Sequence, residues 1–122
     1  MRLAAVALAA LLLVPAAAAK NGVHATLTRA LPAHASQGTK LTVTFTLRDA
    51  SGHPFNAQKV FVKIICPEKD ASSFVFAANV HSGSYRAVAT VPPGGLGTVR
   101  IGLRGWNTVG ATADVYFPIT KH

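Results

Sequence analysis

The sequence predicts an all-β fold, and three observations carry that prediction. Lys40–Asp49 alternates without a break, with Leu41, Val43, Phe45 and Leu47 on one side and Thr42, Thr44, Thr46 and Arg48 on the other. Successive side chains of a strand face opposite ways, so this period of two describes one apolar and one wet face. About seven such stretches follow one another, each closed by Gly, Pro, Asp, Asn or Ser. No helical period of useful length occurs between them. Short strands at such spacing build a sandwich or a barrel, and the even spacing favours two packed antiparallel sheets, an immunoglobulin-like β-sandwich of about seven strands.

Residues 1–19 stand outside that domain. Met1-Arg2 is a short positive start, Leu3 to Val14 is apolar, Pro15 breaks the run, and Ala16 to Ala19 offers small residues. This is the order of a secretory signal peptide, with cleavage expected after Ala19. An uncleaved membrane anchor is the alternative. The apolar run is much shorter than the roughly 20 residues a spanning helix needs, so no transmembrane span is expected after cleavage. The expected domain is Lys20–His122, secreted or periplasmic, and the Ala-rich leader looks bacterial. About 100 residues suffice for one core, burying roughly 65% of the unfolded chain's surface.

Val23–Leu31 alternates through Val23, Ala25 and Leu27, with Arg29 the last candidate position, until Pro32 stops it. Lys40–Arg48 ends in the turn chemistry of Asp49–Pro54. Val60–Cys66 sets Val60, Val62 and Ile64 against Lys59, Phe61, Lys63 and Ile65. The lysines say that the second face meets water, so Phe61 and Ile65 are either covered by a loop or form a small sticky patch. Ser73–Val80 alternates less cleanly. Tyr85–Val91 follows the His81–Ser84 turn, and Pro92–Gly97 is the strongest break in the chain. Thr98–Arg104 turns Val99, Ile101 and Leu103 inward and Arg100 and Arg104 outward. Ala111–Ile119 is the last strand. The expected core is Leu41, Val43, Phe45, Leu47, Val60, Val62, Ile64, Tyr85, Ala87, Val99, Ile101, Leu103, Val115 and Phe117.

Charge and cysteine limit the function. Twelve Lys+Arg against four Asp+Glu give a formal net charge of +8. Inside a cell that would suggest nucleic acid. Outside, the polyanions are lipid head groups, wall polymers and acidic polysaccharides. The basic residues are spread singly, and no aromatics interleave with them along the chain as a stacking platform for nucleic acid would need. No nucleic acid is expected, and the charges read first as solvated strand faces that guard sheet edges. A weak attraction to an anionic envelope is the alternative. Cys66 is the single cysteine, so no intrachain disulfide exists. Its expected role is that of a small buried hydrophobe, the alternative being an intermolecular disulfide or a reactive thiol.

Few residues suggest chemistry. His24, His34, His53, His81 and His122 show no i, i+2 or i, i+4 spacing, so sequence spacing makes no metal site. A sandwich can still bring loop imidazoles together, and neutral imidazole binds copper or zinc. His24, His34, His53, His81 and Cys66 are therefore the alternative metal ligands. Glu68 and Asp70 share a polar turn, a solvated pair. The serines lack a nucleophile-elbow context, and Gly94–Gly97 has neither a Lys nor a following helix to cradle phosphate. No enzyme constellation exists. Trp106, in a Gly-flanked turn, either plugs the end of the sandwich or anchors a partner. Trp106, Phe61 and Ile65 are the candidate partner-binding residues.

Three motifs carry a family resemblance: the strand and turn Val43–Pro54, the strand entry Gly83-Ser-Tyr-Arg-Ala87, and Val91-Pro-Pro-Gly-Gly95 before a Val-x-Ile-x-Leu strand. Together they resemble the YtkA-like domains, small exported immunoglobulin-like sandwiches of bacteria. The resemblance implies the fold and an envelope location, with a link in some members to copper or cytochrome-oxidase biogenesis. Gly83-x-Tyr85 also resembles the tyrosine corner of immunoglobulin-like domains, with Ala87 where a disulfide cysteine would stand. The function expected is a non-catalytic binding or accessory module of the bacterial cell envelope. The alternative is an extracytoplasmic copper-handling or oxidase-biogenesis accessory protein.

Overall fold

The computed structural model describes residues 22–106 and 108–120; the leader expected over 1–19 and His122 lie outside them. Nine strands run β1 (His24–Leu27), β2 (Lys40–Arg48), β3 (Val60–Cys66), β4 (Ala71–Phe76), β5 (Ala78–His81), β6 (Ser84–Thr90), β7 (Thr98–Trp106), β8 (Thr112–Tyr116) and β9 (Ile119–Thr120). One sheet has the order β5-β6-β2-β1-β9 and the other β4-β3-β7-β8. All pairs are antiparallel except β1 with β9. This is a β-sandwich with the strand order of immunoglobulin-like Greek keys.

Two of the seven expected strands divide, which makes nine. The stretch expected over 73–80 is two strands in different sheets. After Phe76 the Ala77 N–H donates to the Val60 carbonyl (2.8 Å), and at Ala78 the chain joins Arg86 in the other sheet. The stretch 111–119 divides at Pro118. Proline has no N–H to continue a ladder. Its carbonyl instead accepts from the Ala25 N–H (2.9 Å), and Ile119 pairs with Ala25 in parallel. Strands that change sheets in this way form the corners of a sandwich, and the imperfect alternation of 73–80 is their sequence trace. At the other end the inward alternation of β1 stops at Leu27, and Arg29 is exposed.

Between the sheets lies one apolar core. β2 contributes Leu41, Val43, Phe45 and Leu47, and Val60, Val62, Ile64 and Ile101 face it from the other sheet. Phe45 and Tyr85 are cross-strand partners, and their rings stack at 5.4 Å with planes 10° apart. Val99 and Val115, expected inside, are only partly buried at its margin. Cys66 is buried, packed so closely that a side chain at Gly94 would strike its Sγ.

Tyr85 makes the expected tether. Its hydroxyl donates to the Phe55 carbonyl (3.0 Å) and accepts from the Ala57 N–H (2.9 Å). Burial pushes the phenol pKa up, and the bond from Ala57 offsets part of that. The comparison with the immunoglobulin tyrosine corner nevertheless needs correction. Tyr85 opens β6, which lies beside β2 in the same sheet, whereas the immunoglobulin corner opens the strand across the sandwich. Ala87 pairs with Val43 of β2, so it is not the position of an inter-sheet disulfide.

Candidate functional site

The candidate site is the outer face of β4-β3-β7-β8. Outward positions alternate with core positions along each strand, so Phe74 and Phe76 of β4 lie beside Phe61, Lys63 and Ile65 of β3. Beyond them come Arg100, Gly102 and Arg104 of β7, then Asp114 and Tyr116 of β8. The register aligns Phe76 with Phe61, Phe61 with Gly102, and Gly102 with Tyr116. That is one aromatic row crossing four strands, or about 14 Å at the usual strand spacing.

Gly102 is the reason the row packs. With no side chain there, the Phe61 ring settles over the backbone of β7; a Cβ at Gly102 would stand 2.6 Å from Phe61 Cζ. Phe74 packs on Phe61 at 4.7 Å between centroids and Tyr116 meets it edge-on at 5.8 Å. Phe61 is therefore 0% exposed, while Phe74 and Phe76 are 37% and 47% exposed. The sequence-based choice of Phe61 as a surface anchor is corrected: it is the buried base of the patch. The cover comes from an adjoining strand rather than from a loop. The exposed aromatics are Phe74 and Phe76, neither of which sequence reasoning selected.

Cations flank the row on both sides. Arg104 grips Asp114 with two hydrogen bonds, Nε to Oδ1 at 2.9 Å and Nη2 to Oδ2 at 3.1 Å. Its guanidinium lies 4.4 Å from the Phe74 ring centroid, a cation–π geometry. The hydrogen bond from Arg104 holds the Asp114 carboxyl below its usual pKa against the opposing effect of burial, with smaller help from the charges of Arg104 and Lys63. The hydrogen bond to Asp114 likewise raises the pKa of Arg104. On the other side of the row Lys63 and Arg100 are cross-strand partners, and Arg100 lies 5.0 Å from the Tyr116 ring centroid. Among the described residues neither Lys63 nor Arg100 forms an ion pair.

The depressed Asp114 pKa has a consequence for stability. A carboxyl held lower in the folded than in the unfolded chain stabilises above its unfolded pKa, near 4. That contribution is lost as pH falls through the folded value. Asp114→Asn is therefore expected to lower stability slightly at neutral pH and to flatten the acid limb below about pH 4. Urea midpoints measured between pH 2 and pH 7 check it; an unchanged acid limb would show that the pair does not contribute.

The other selected residues do not converge. Ile65 is half-buried between Ser72 and Thr98. Trp106 ends β7 opposite Thr112, and its side chain lies outside the described residues. His24, His34, His53 and His81 are exposed on β1, a loop, the β2 turn and β5. His24 Nδ1 stands 3.3 Å from the Gly22 carbonyl and His53 Nδ1 stands 3.8 Å from Asp49 Oδ1. Among the described residues no group of three or more His, Cys, Asp or Glu is placed to hold a metal ion.

A second concavity of about 670 Å³ opens between the sheets, lined by Leu27, Leu31, Leu96, Val99 and Ile119 among others. Among the described residues no charged or titratable side chain lines it. No protein-family model, curated protein or solved structure matches the chain.

Proposed function

We propose that this chain is a non-catalytic, exported binding module of the bacterial envelope, working through the outer face of β4-β3-β7-β8. The observation that carries the reading is the pair of exposed rings, Phe74 and Phe76, seated on Phe61 and edged by cations. Aromatic and arginine side chains are the residues that most often anchor interfaces. The leader-like residues 1–19 support an extracytoplasmic address. The likeness to YtkA-like domains points to the same place, on sequence motifs alone. Nothing in the placement of His24, His34, His53, His81 and Cys66 favours the copper reading over this one.

The test is co-sedimentation of the exported chain with bacterial envelope fragments. Phe74→Ser/Phe76→Ser is expected to weaken retention about tenfold or more. Both rings are partly exposed, so the fold should survive, which a far-UV spectrum and an unfolding curve will verify. Full retention by the folded double variant would overturn the reading.

A further inference from the structure

We propose that this face binds an anionic polysaccharide whose acidic groups bridge Lys63 and Arg100 while its sugar rings lie along the aromatic row. The inference rests on the binding-module reading above and goes beyond it by naming the ligand class.

Lys63 and Arg100 are directly opposite on neighbouring strands β3 and β7. Like charges in that position destabilise a sheet. Asp114 is engaged in both of its oxygens by Arg104. Among the described residues neither member of the cation pair has a carboxylate in ion-pair contact, and Lys63 acts on Asp114 only at longer range, in a chain with twelve basic and four acidic residues. An anion bound between the two would relieve the repulsion.

The surroundings select the kind of anion. The aromatic row runs across the strands, and the strand spacing of about 4.8 Å is comparable to the length of one sugar residue in a linear glycan. Arg104 lies over Phe61, Phe74 and Phe76 and Arg100 over Tyr116, so an apolar sugar face would meet the exposed parts of Phe74 and Phe76, while Lys63 and Arg100 suit carboxylate, sulfate or phosphate groups. An extended acidic peptide fits less well. β3 and β7, which carry the two cations, are central strands, so a peptide added at the edge strand β4 or β8 would lie at least two strand spacings, about 10 Å, from either cation. An anionic membrane also fits less well, because Phe74 and Phe76 lie within the sheet face and more than half of each is covered. Single-stranded nucleic acid uses the same residue types; the exported address proposed above disfavours it, and oligo-thymidylate tests it directly.

The experiment is calorimetric titration of the exported chain with a sulfated polysaccharide (heparin) and a carboxylated one (polygalacturonate). The comparison probes are neutral dextran, poly-glutamate, oligo-thymidylate and phosphatidylglycerol vesicles. The expected result is salt-sensitive binding to one or both acidic polysaccharides, which also separates sulfate from carboxylate, and none to dextran. Lys63→Gln and Arg100→Gln should each weaken it about tenfold, the loss of roughly one charge-assisted hydrogen bond. Arg100→Gln should at the same time leave the urea midpoint nearly unchanged, because relief of the like-charge contact with Lys63 offsets loss of the guanidinium over Tyr116. Lost binding without lost stability is a pattern that a purely structural arginine would not show. Lys63→Gln is the weaker stability probe, since Lys63 also helps to hold Asp114 ionised. Phe76→Ser should weaken binding too.

Equal binding to every polyanion with no effect of Phe76→Ser would overturn the proposal in favour of net charge alone. Preference for poly-glutamate, oligo-thymidylate or vesicles would overturn it in favour of that partner class. Envelope retention that depends on Phe74 and Phe76, without binding to any polysaccharide, would sink this inference and leave the binding module standing.

Discussion

Phe45→Ala is expected to destabilise the domain by about 3–5 kcal/mol, the usual cost of deleting a central aromatic ring. Phe45 sits mid-strand in β2, between Leu27 of β1 and Tyr85 of β6, and is 1% exposed. Three contributions add. The ring loses its transfer from water. The stacked contact with Tyr85 disappears, worth about 0.5–1.5 kcal/mol beyond area in typical aromatic pairs. A cavity remains, because Val43, Leu47 and Tyr85 are held by ladders on both sides of β2 and cannot close in. Typical domains are stable by about 5–15 kcal/mol, so the loss is a large fraction of the total. Urea unfolding checks it, through a lower midpoint at an unchanged slope. Val88→Ala, on the exposed face of the same sheet, is the control and should change stability by less than about 0.5 kcal/mol. A Phe45→Ala loss below about 1 kcal/mol would mean that the ring is not a keystone of the core.

β2 is also where the sequence is most readable. One face of that strand is core and the other is wet, and Leu41, Val43, Phe45 and Leu47 alternate cleanly because nothing else covers the threonines. Thr98–Arg104 was readable as a strand from its alternation, although Phe61 covers its outer face at Gly102, and Cys66 is the buried small hydrophobe its context suggests. Phe61 was not readable. Its flanking position Lys63 marks the face as wet, and only the pairing of β3 with a glycine in β7 and with phenylalanines in β4 lets a ring bury itself on that face. The aromatic row was hidden by the same physics. Phe61, Phe76 and Tyr116 are far apart in the chain, and cross-strand register, which one sequence does not print, puts them in line. Reading the basic residues along the chain found no interleaved aromatics, although across the sheet they interleave. The changes of sheet at Ala77 and Pro118 left a weaker trace. The proline was visible as a break, but the parallel pairing with β1 depends on where Ala25 stands.

Gly102→Ala is expected to cost about 2–3 kcal/mol, in the upper part of the range for overpacking, although it adds a single methyl group and removes a glycine from a strand, a change that would otherwise favour β structure. The methyl would stand 2.5 Å from the Val115 carbonyl oxygen and 2.6 Å from Phe61 Cζ. The two contacts differ in kind. The Phe61 ring can swing away, at the price of its seat against Phe74 and Tyr116. The Val115 oxygen belongs to the β7–β8 ladder, whose Leu103↔Val115 pairing fixes it. A double-mutant cycle separates them. Phe61→Leu in the Gly102→Ala background should recover only the ring's share, leaving the backbone share in place. Gly102→Ala should also expose aromatic surface and weaken ligand binding along the row more than its stability loss alone accounts for, because Phe74 rests on the displaced ring. A Gly102→Ala protein within about 0.5 kcal/mol of the parent would show that β7 and β8 can part without penalty. In that case the ring row is a loose surface cluster, and the pre-formed platform on which the binding proposals depend does not exist.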